Sequence, residues 1–505
     1  GAMKQNGLGG PVDHDEARQL YEKAAADGNA DAQVNLGVMY ATGEGVARDE
    51  DAALEWFRKA AAQGHRGAKA NLATMKLVGG DPADMDEARQ MLIQTAREGD
   101  PAAQYVLARV YREGVGTRAD PRKAIRLMRQ AAEQGHAPSL NMMGVFYETG
   151  EMTIANHGIA ARWYEKAVEL GYAPSQNNLA LLYQAGTGVQ QNLSKAFELF
   201  HAAAEQGIAE SQWSLGAMYY EGRGTERNLE KAAEWFRKAA EQGFVGGQHS
   251  LGVMYDRGEF VEPSHRRAAE WYRKAAAQGY GPSANNLAIL HMMGWAVKQD
   301  DRRAAELFTI AANQGIAKSQ YALGWMSYNG RGMPRDALTA SRWWTLAGEQ
   351  GFAKAQTNLG LLYARGHGVK MDYREAAKWF ALASENGRPI AQTNLALLYL
   401  RGHGVKRDEA KAAELYAAAA EAGYAPAQFK LAQCYESGKG VEQNDVNALA
   451  WYTLADANGE PTRGDQTRLI ARLDREQINE AVRLAEAHRT GTPTAAVGEV
   501  VVVQP

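Results

Sequence analysis

The chain has 505 residues, with 56 Lys and Arg against 59 Asp and Glu, a formal net charge of -3. Near-balanced charge supplies no overall field for nucleic acid or an anionic membrane, and a single cysteine, Cys434, excludes an internal disulfide and a thiolate zinc site. No run approaches the roughly 20 apolar residues that span a bilayer.

Along the chain, Gly1-Ala2-Met3 reads as a cloning scar, with residues 1–12 as scar and leader. Residues 13–28 predict one leading helix. A glycine closing an Ala-rich segment then recurs at Gly28, Gly64, Gly99, Gly135, Gly171, Gly207, Gly243, Gly279, Gly315, Gly351, Gly387, Gly423 and Gly459, and eleven of the twelve intervals are 36 residues. This period makes residues 13–459 one array of about twelve units, where length alone suggests about three domains.

Each unit predicts two helices. In the segment 51–61, Ala53, Trp56, Phe57 and Ala60 share one face, and Gly64 follows as a terminator. In the segment 32–40, Leu36 and Tyr40 flank the small Gly37; the same place holds Ala73, Ala108, Gly144, Ala180, Gly216, Gly252, Ala288, Gly324, Gly360, Ala396 and Ala432. Nothing larger than alanine is tolerated there, which predicts a close helix crossing. After the array, residues 460–489 predict two C-terminal capping helices that break near Asp474, and 490–505 a flexible tail whose Val500–Val503 run has strand character.

One unit carries the pattern most fully: Ala355-Gln356-Thr357-Asn358-Leu359-Gly360-Leu361-Leu362-Tyr363-Ala364-Arg365-Gly366-His367-Gly368-Val369, then Ala376, Trp379-Phe380 and Gly387. With these residues the chain resembles the Sel-like repeat (SLR) family of the tetratricopeptide superfamily. The resemblance implies an all-α fold, a right-handed α-solenoid superhelix of about twelve 36-residue helix-turn-helix repeats. Departures from the pattern are Lys76 with Gly79-Gly80-Asp81-Pro82, Glu259-Phe260 and Trp295-Ala296, three turns expected to bend differently.

Phosphate-loop, zinc-helix, paired-cysteine and nucleophile-elbow motifs are missing, so no catalytic residue, cofactor or metal is assigned and the chain reads as a non-enzyme. His367 and His403, one repeat apart in Gly-His-Gly turns, suggest a shared metal, but other units put Glu44, Val115, Thr187 and Arg223 there, as a solvated turn does. For a cell-wall hydrolase or polysaccharide-binding reading, Glu148 and Glu221 are candidate carboxylates, but they lie two repeats apart.

Two helix positions stand out. Asparagine precedes the leucine at Asn35, Asn71, Asn178, Asn286, Asn358 and Asn394, although it is a poor helix former. The resemblance implies a concave-face ladder holding an extended peptide; the alternative is an amide bridge between repeats, and the residues leave both open. One residue earlier, aromatics appear among varied side chains. The partner-binding candidates are therefore Tyr105, Arg109 and Arg112; Trp213 and Tyr220; Tyr321, Trp325 and Tyr328; and Asn178, Asn286, Asn358 and Asn394. The expected function is a monomeric interaction scaffold or adaptor with a protein or peptide in its concave groove and no nucleic acid. An immunity-type inhibitor of a partner enzyme is the alternative. The family's envelope roles point to the bacterial periplasm ahead of the cytoplasm.

Overall fold

The computed structural model describes residues 14–79 and 81–491; the leader, Asp13, Gly80 and the 492–505 part of the tail, with Val500–Val503, lie outside them. Among the described residues there are 27 helices and no strands, arranged as successive helix pairs in an all-α solenoid. The array falls into two compact units, one ending at Gly247 and the other beginning at Gln248. No helix of the described residues is long and apolar enough to cross a membrane.

A repeat is a first helix, such as Ala353–Arg365, a short turn, and a second helix, such as Tyr373–Glu385. Local chemistry fixes both ends of the turn. Gly366 closes the first helix in the left-handed conformation, φ 69°, where a side chain would be strained. Asp372 opens the second, its carboxylate accepting from the Arg374 and Glu375 amides. Asp49, Asn156, Ser264 and Asp408 cap the equivalent helices of other repeats. The cap's own N–H reaches back to the first helix, as from Asp372 to the Tyr363 carbonyl at 2.9 Å. The A-rich second helix then ends at Gly387, and the next repeat begins.

The small position is explained by the second helix of the same repeat. A Cβ added at Gly37 would lie 2.7 Å from the Phe57 ring, and at Gly252 2.7 Å from the Tyr272 ring. The core is therefore a column of aromatics laid over small residues, with Phe57, Tyr164, Phe200, Tyr272, Phe308, Phe380 and Tyr416 all at most 2% exposed. Close approaches between first helices of neighbouring repeats occur between Arg66–Gly79 and Pro101–Glu113 and between Pro389–Arg401 and each of Ala353–Arg365 and Ala425–Ser437.

Two of the three departing turns do not bend differently. Phe260 and Ala296 take φ 63° and 56°, the left-handed conformation that glycine holds elsewhere. The cap hydrogen bonds force this, since Ser264 still reaches the Tyr255 carbonyl at 2.8 Å and Asp300 that of His291 at 3.0 Å. Of the third, Gly80 lies outside the described residues, while Lys76 binds Asp84 at 3.0 Å and also Glu87.

Beyond the repeats, Arg463–Ile470 and Arg475–Gly491 are helices, and Leu469, Ala481 and Ala485 join the Trp451 and Tyr452 core. Asp474 caps the second of them, accepting from Glu476 and Gln477 at 2.9 Å while Gln477 accepts from Asp474 N–H at 3.0 Å.

Candidate interaction face

A first helix buries Ala355, Gln356, Leu359, Gly360 and Leu362 and leaves Lys354, Asn358, Leu361 and Arg365 accessible. Those four are spaced four, three and four apart, which places them on one stripe. Repetition sets such stripes side by side, and the face they form is the candidate site.

The residue before the asparagine is not the freely varying position that the sequence suggests. Its side chain is matched to the following repeat. Ser175 donates to Asn141 at 2.8 Å, Ser211 to Asn177 at 2.7 Å and Ser319 to Asn285 at 2.8 Å, while His249 meets Ser283 at 2.9 Å. Where the side chain is an aromatic ring, it packs instead on the residue 31 positions on: Tyr105 on His136 at 5.3 Å, Trp213 on Phe244 at 5.9 Å and Tyr321 on Phe352 at 5.1 Å between centroids. Tyr105, Trp213 and Tyr321 are thus half-buried spacers between repeats, and burial holds the His136 imidazole below its usual pKa.

The remaining candidates divide. Arg112 is clamped by Glu151, with nitrogen–oxygen distances of 2.8 and 3.2 Å, and lies over Phe146. Arg109 is exposed, with Glu113 at 3.4 Å. Tyr220 leans on Phe236 beneath Arg227. Around Trp344 the structure gathers Tyr321 and Tyr328, at 6.5 and 5.6 Å, and Tyr328 Oη lies 3.4 Å from His367 Nδ1 of the next repeat. Trp325 is half-buried, with Arg331 over its ring at 5.6 Å.

The asparagines do not act alike. Asn178 donates to Asn141 at 3.1 Å, a bridge between repeats, and Asn286 accepts from Asn285 at 3.1 Å. Asn394 turns back to the Ile390 carbonyl at 2.7 Å. Asn358 stays partly exposed on the stripe.

The two carboxylates are engaged elsewhere. Glu148 accepts from the buried Tyr164 hydroxyl at 2.6 Å, and burial followed by this bond pushes the Tyr164 pKa up. Glu221 pairs with Arg223. His403 packs on Tyr373 with the rings tilted and centroids 4.8 Å apart, and among the described residues no three His, Cys, Asp or Glu side chains gather as metal ligands. Cys434 is buried, its thiol pushed up to about 11 by desolvation.

Sequence reading missed a glutamine relay. Gln104 donates to the Ala96 carbonyl of the preceding repeat at 3.2 Å and accepts from Gln134 at 2.8 Å. Gln33 with Gln63, Gln212 with Gln242, and Gln320 with Gln350 repeat the pairing at 2.7–2.8 Å. The signal was a co-occurrence of glutamines 30 residues apart.

Comparison with known proteins agrees with this architecture. The family model described as Sel1 repeat matches thirteen segments: 1–29, 30–65, 67–100, 101–136, 137–172, 173–208, 209–244, 246–280, 281–316, 317–352, 353–387, 389–424 and 425–459. Among solved structures, the protective antigen c5321 of uropathogenic Escherichia coli, which displays an SLR fold, is 32% identical. That match covers 80% of this chain and 94% of that one, with a TM-score of 0.56. A Sel1 repeat protein from Oxalobacter formigenes is 31% identical over 61% of this chain and 89% of its own, with a TM-score of 0.47. A search of curated proteins gives no match. With thirteen matched repeats and a one-third identical relative covered almost end to end, the chain belongs to the Sel1-repeat family.

Proposed function

We propose that this protein is a non-catalytic interaction scaffold that holds a partner protein or peptide on the face of its first helices. Sel1 repeat proteins are generally protein-interaction scaffolds, and each first helix presents a stripe of accessible side chains. The observation that carries the reading is the accessible stripe. Ile289, Trp325, Leu361 and Leu397 occupy one position of four successive first helices, partly exposed although large and apolar. Trp325 and Leu361 touch only the margin of the core, whose fully buried aromatics and small residues carry the packing between the two helices. Asn358 adds an amide within reach of a bound backbone.

Replacing Trp325 and Tyr328 by Ala and measuring capture of the identified partner beside the thermal melt tests this. Capture should fall with a melt lowered only modestly; unchanged capture moves the site elsewhere. A one-to-one complex that stops a partner enzyme's turnover would make the scaffold an inhibitor.

A further inference from the structure

Within the second unit, the first helices Gly281–Met293, Ala317–Asn329, Ala353–Arg365 and Pro389–Arg401, with the turns that follow them, hold no carboxylate except the helix caps Asp300, Asp336, Asp372 and Asp408. Those caps are occupied by backbone N–H groups of the helices they open. The same stretches carry ten Lys and Arg. Arg331 is held by Asp301 at 2.7 Å, but Lys318, Arg365, Lys370, Arg401 and Lys406 are exposed and face no carboxylate among the described residues. First helices of the other unit do carry acids, among them Asp31, Glu113, Glu148, Glu210 and Glu221. A chain of net charge -3 has thus gathered a cation-lined face with an apolar floor in one place.

We infer that this face receives an acidic, apolar-bearing segment of a partner protein in extended conformation. Carboxylates of the segment meet Arg365 and Arg401 at the turn edge and Lys318 at the helix-start edge; apolar side chains rest on Trp325, Leu361 and Leu397. Neighbouring helices pack about 8 to 10 Å apart and an extended chain rises about 3.3 Å per residue, so one repeat reads about three residues of the segment. Charge complementarity sets the partner class and the rate of encounter, while the apolar floor supplies the lasting contact. The inference rests on the first-helix face being the binding face.

The test uses the full chain and a fluorescein-labelled peptide of four Leu-Glu-Asp triplets, with four Leu-Gln-Asn triplets as the uncharged control, read by anisotropy. The acidic peptide should bind at least about tenfold more tightly than the control and weaken steeply with salt. The double variant Arg365→Glu with Arg401→Glu, and separately Lys370→Glu with Lys406→Glu, should each weaken it about tenfold with unchanged melting. Equal binding of the two peptides, or no effect of either variant, overturns the inference. So does tighter binding of a thymidine oligonucleotide of similar length, which would make the face a phosphate reader. If Trp325→Ala with Tyr328→Ala abolishes capture of the identified partner while the charge variants do not, the scaffold reading stands and the acidic segment falls. If none of them changes capture, both fall.

Discussion

Tyr164, Tyr452 and Tyr416 occupy one place in three repeats, and what their hydroxyls meet is decided 16 residues earlier. Glu148 accepts from Tyr164 at 2.6 Å and Glu436 from Tyr452 at 3.0 Å, but Leu400 stands in that position for Tyr416, whose buried hydroxyl has no partner. Tyr416→Phe should therefore be neutral or stabilise by up to about 1 kcal/mol, whereas Tyr164→Phe should cost about 1 kcal/mol, read from urea midpoints. The glutamine relay makes a parallel case. Gln392 Oε1 is buried without a donor because Ala422 replaces the expected glutamine. Ala422→Gln should raise stability by about 0.5 to 1 kcal/mol, and Gln350→Ala, which strips Gln320 of its donor, should lower it by about 1 to 3 kcal/mol. These couplings were in the sequence only as pairs at separations of 16, 30 and 34 residues. A single position read down the repeats, such as that of Tyr105, Trp213 and Tyr321, shows variation without the partner that explains it.

At the level of the helices and turns, the glycine period and the small-residue position were enough to place each helix pair, because both follow from sterics that act within one repeat. The turn at Ala296 shows where that reading stops. Its backbone keeps φ 56° without glycine, and beside it Trp295 stacks on His265 at 5.4 Å. Left-handed backbone costs a residue with a Cβ roughly 1 to 2 kcal/mol, so Ala296→Gly should stabilise by about 1 kcal/mol. Gly332→Ala, in the same place one repeat on, should destabilise by more than about 1 kcal/mol, since its Cβ would press on the Asp301 carbonyl. At the C-terminal helices, Arg468 grips Glu436 through two bonds of 2.9 Å and, with burial opposing, holds its carboxyl below the usual range. A lowered folded pKa means that this stability is present above the unfolded value, about 4.3, and is lost as pH falls through the folded one. Glu436→Gln should cost about 1 to 2 kcal/mol at pH 7 and progressively less toward pH 3, followed by thermal melts.

Over the whole molecule, the repeat period and the all-α solenoid were legible because a 36-residue rhythm leaves each helix pair one way to bury its aromatics, though the count of about twelve falls one short of the thirteen matched segments. The division at Gly247 was not, since Gly243 and Gly279 keep the spacing across it. A trace of it is Gly247 in the first turn of a helix, where the other repeats place Ser or Ala. The candidate face was legible only in part: Trp325 and Asn358 lie on the accessible stripe, while Tyr105, Trp213, Tyr321 and Asn178 serve the joints between repeats. The central claim is that the first-helix layer binds the partner. Hydrogen exchange of the full chain, with and without its identified partner, reads this helix by helix. The account predicts slowed exchange confined to Ala317–Asn329, Ala353–Arg365, Pro389–Arg401 and the turns after them. Slowing confined to the second helices Ala337–Glu349 and Tyr373–Glu385 would contradict it.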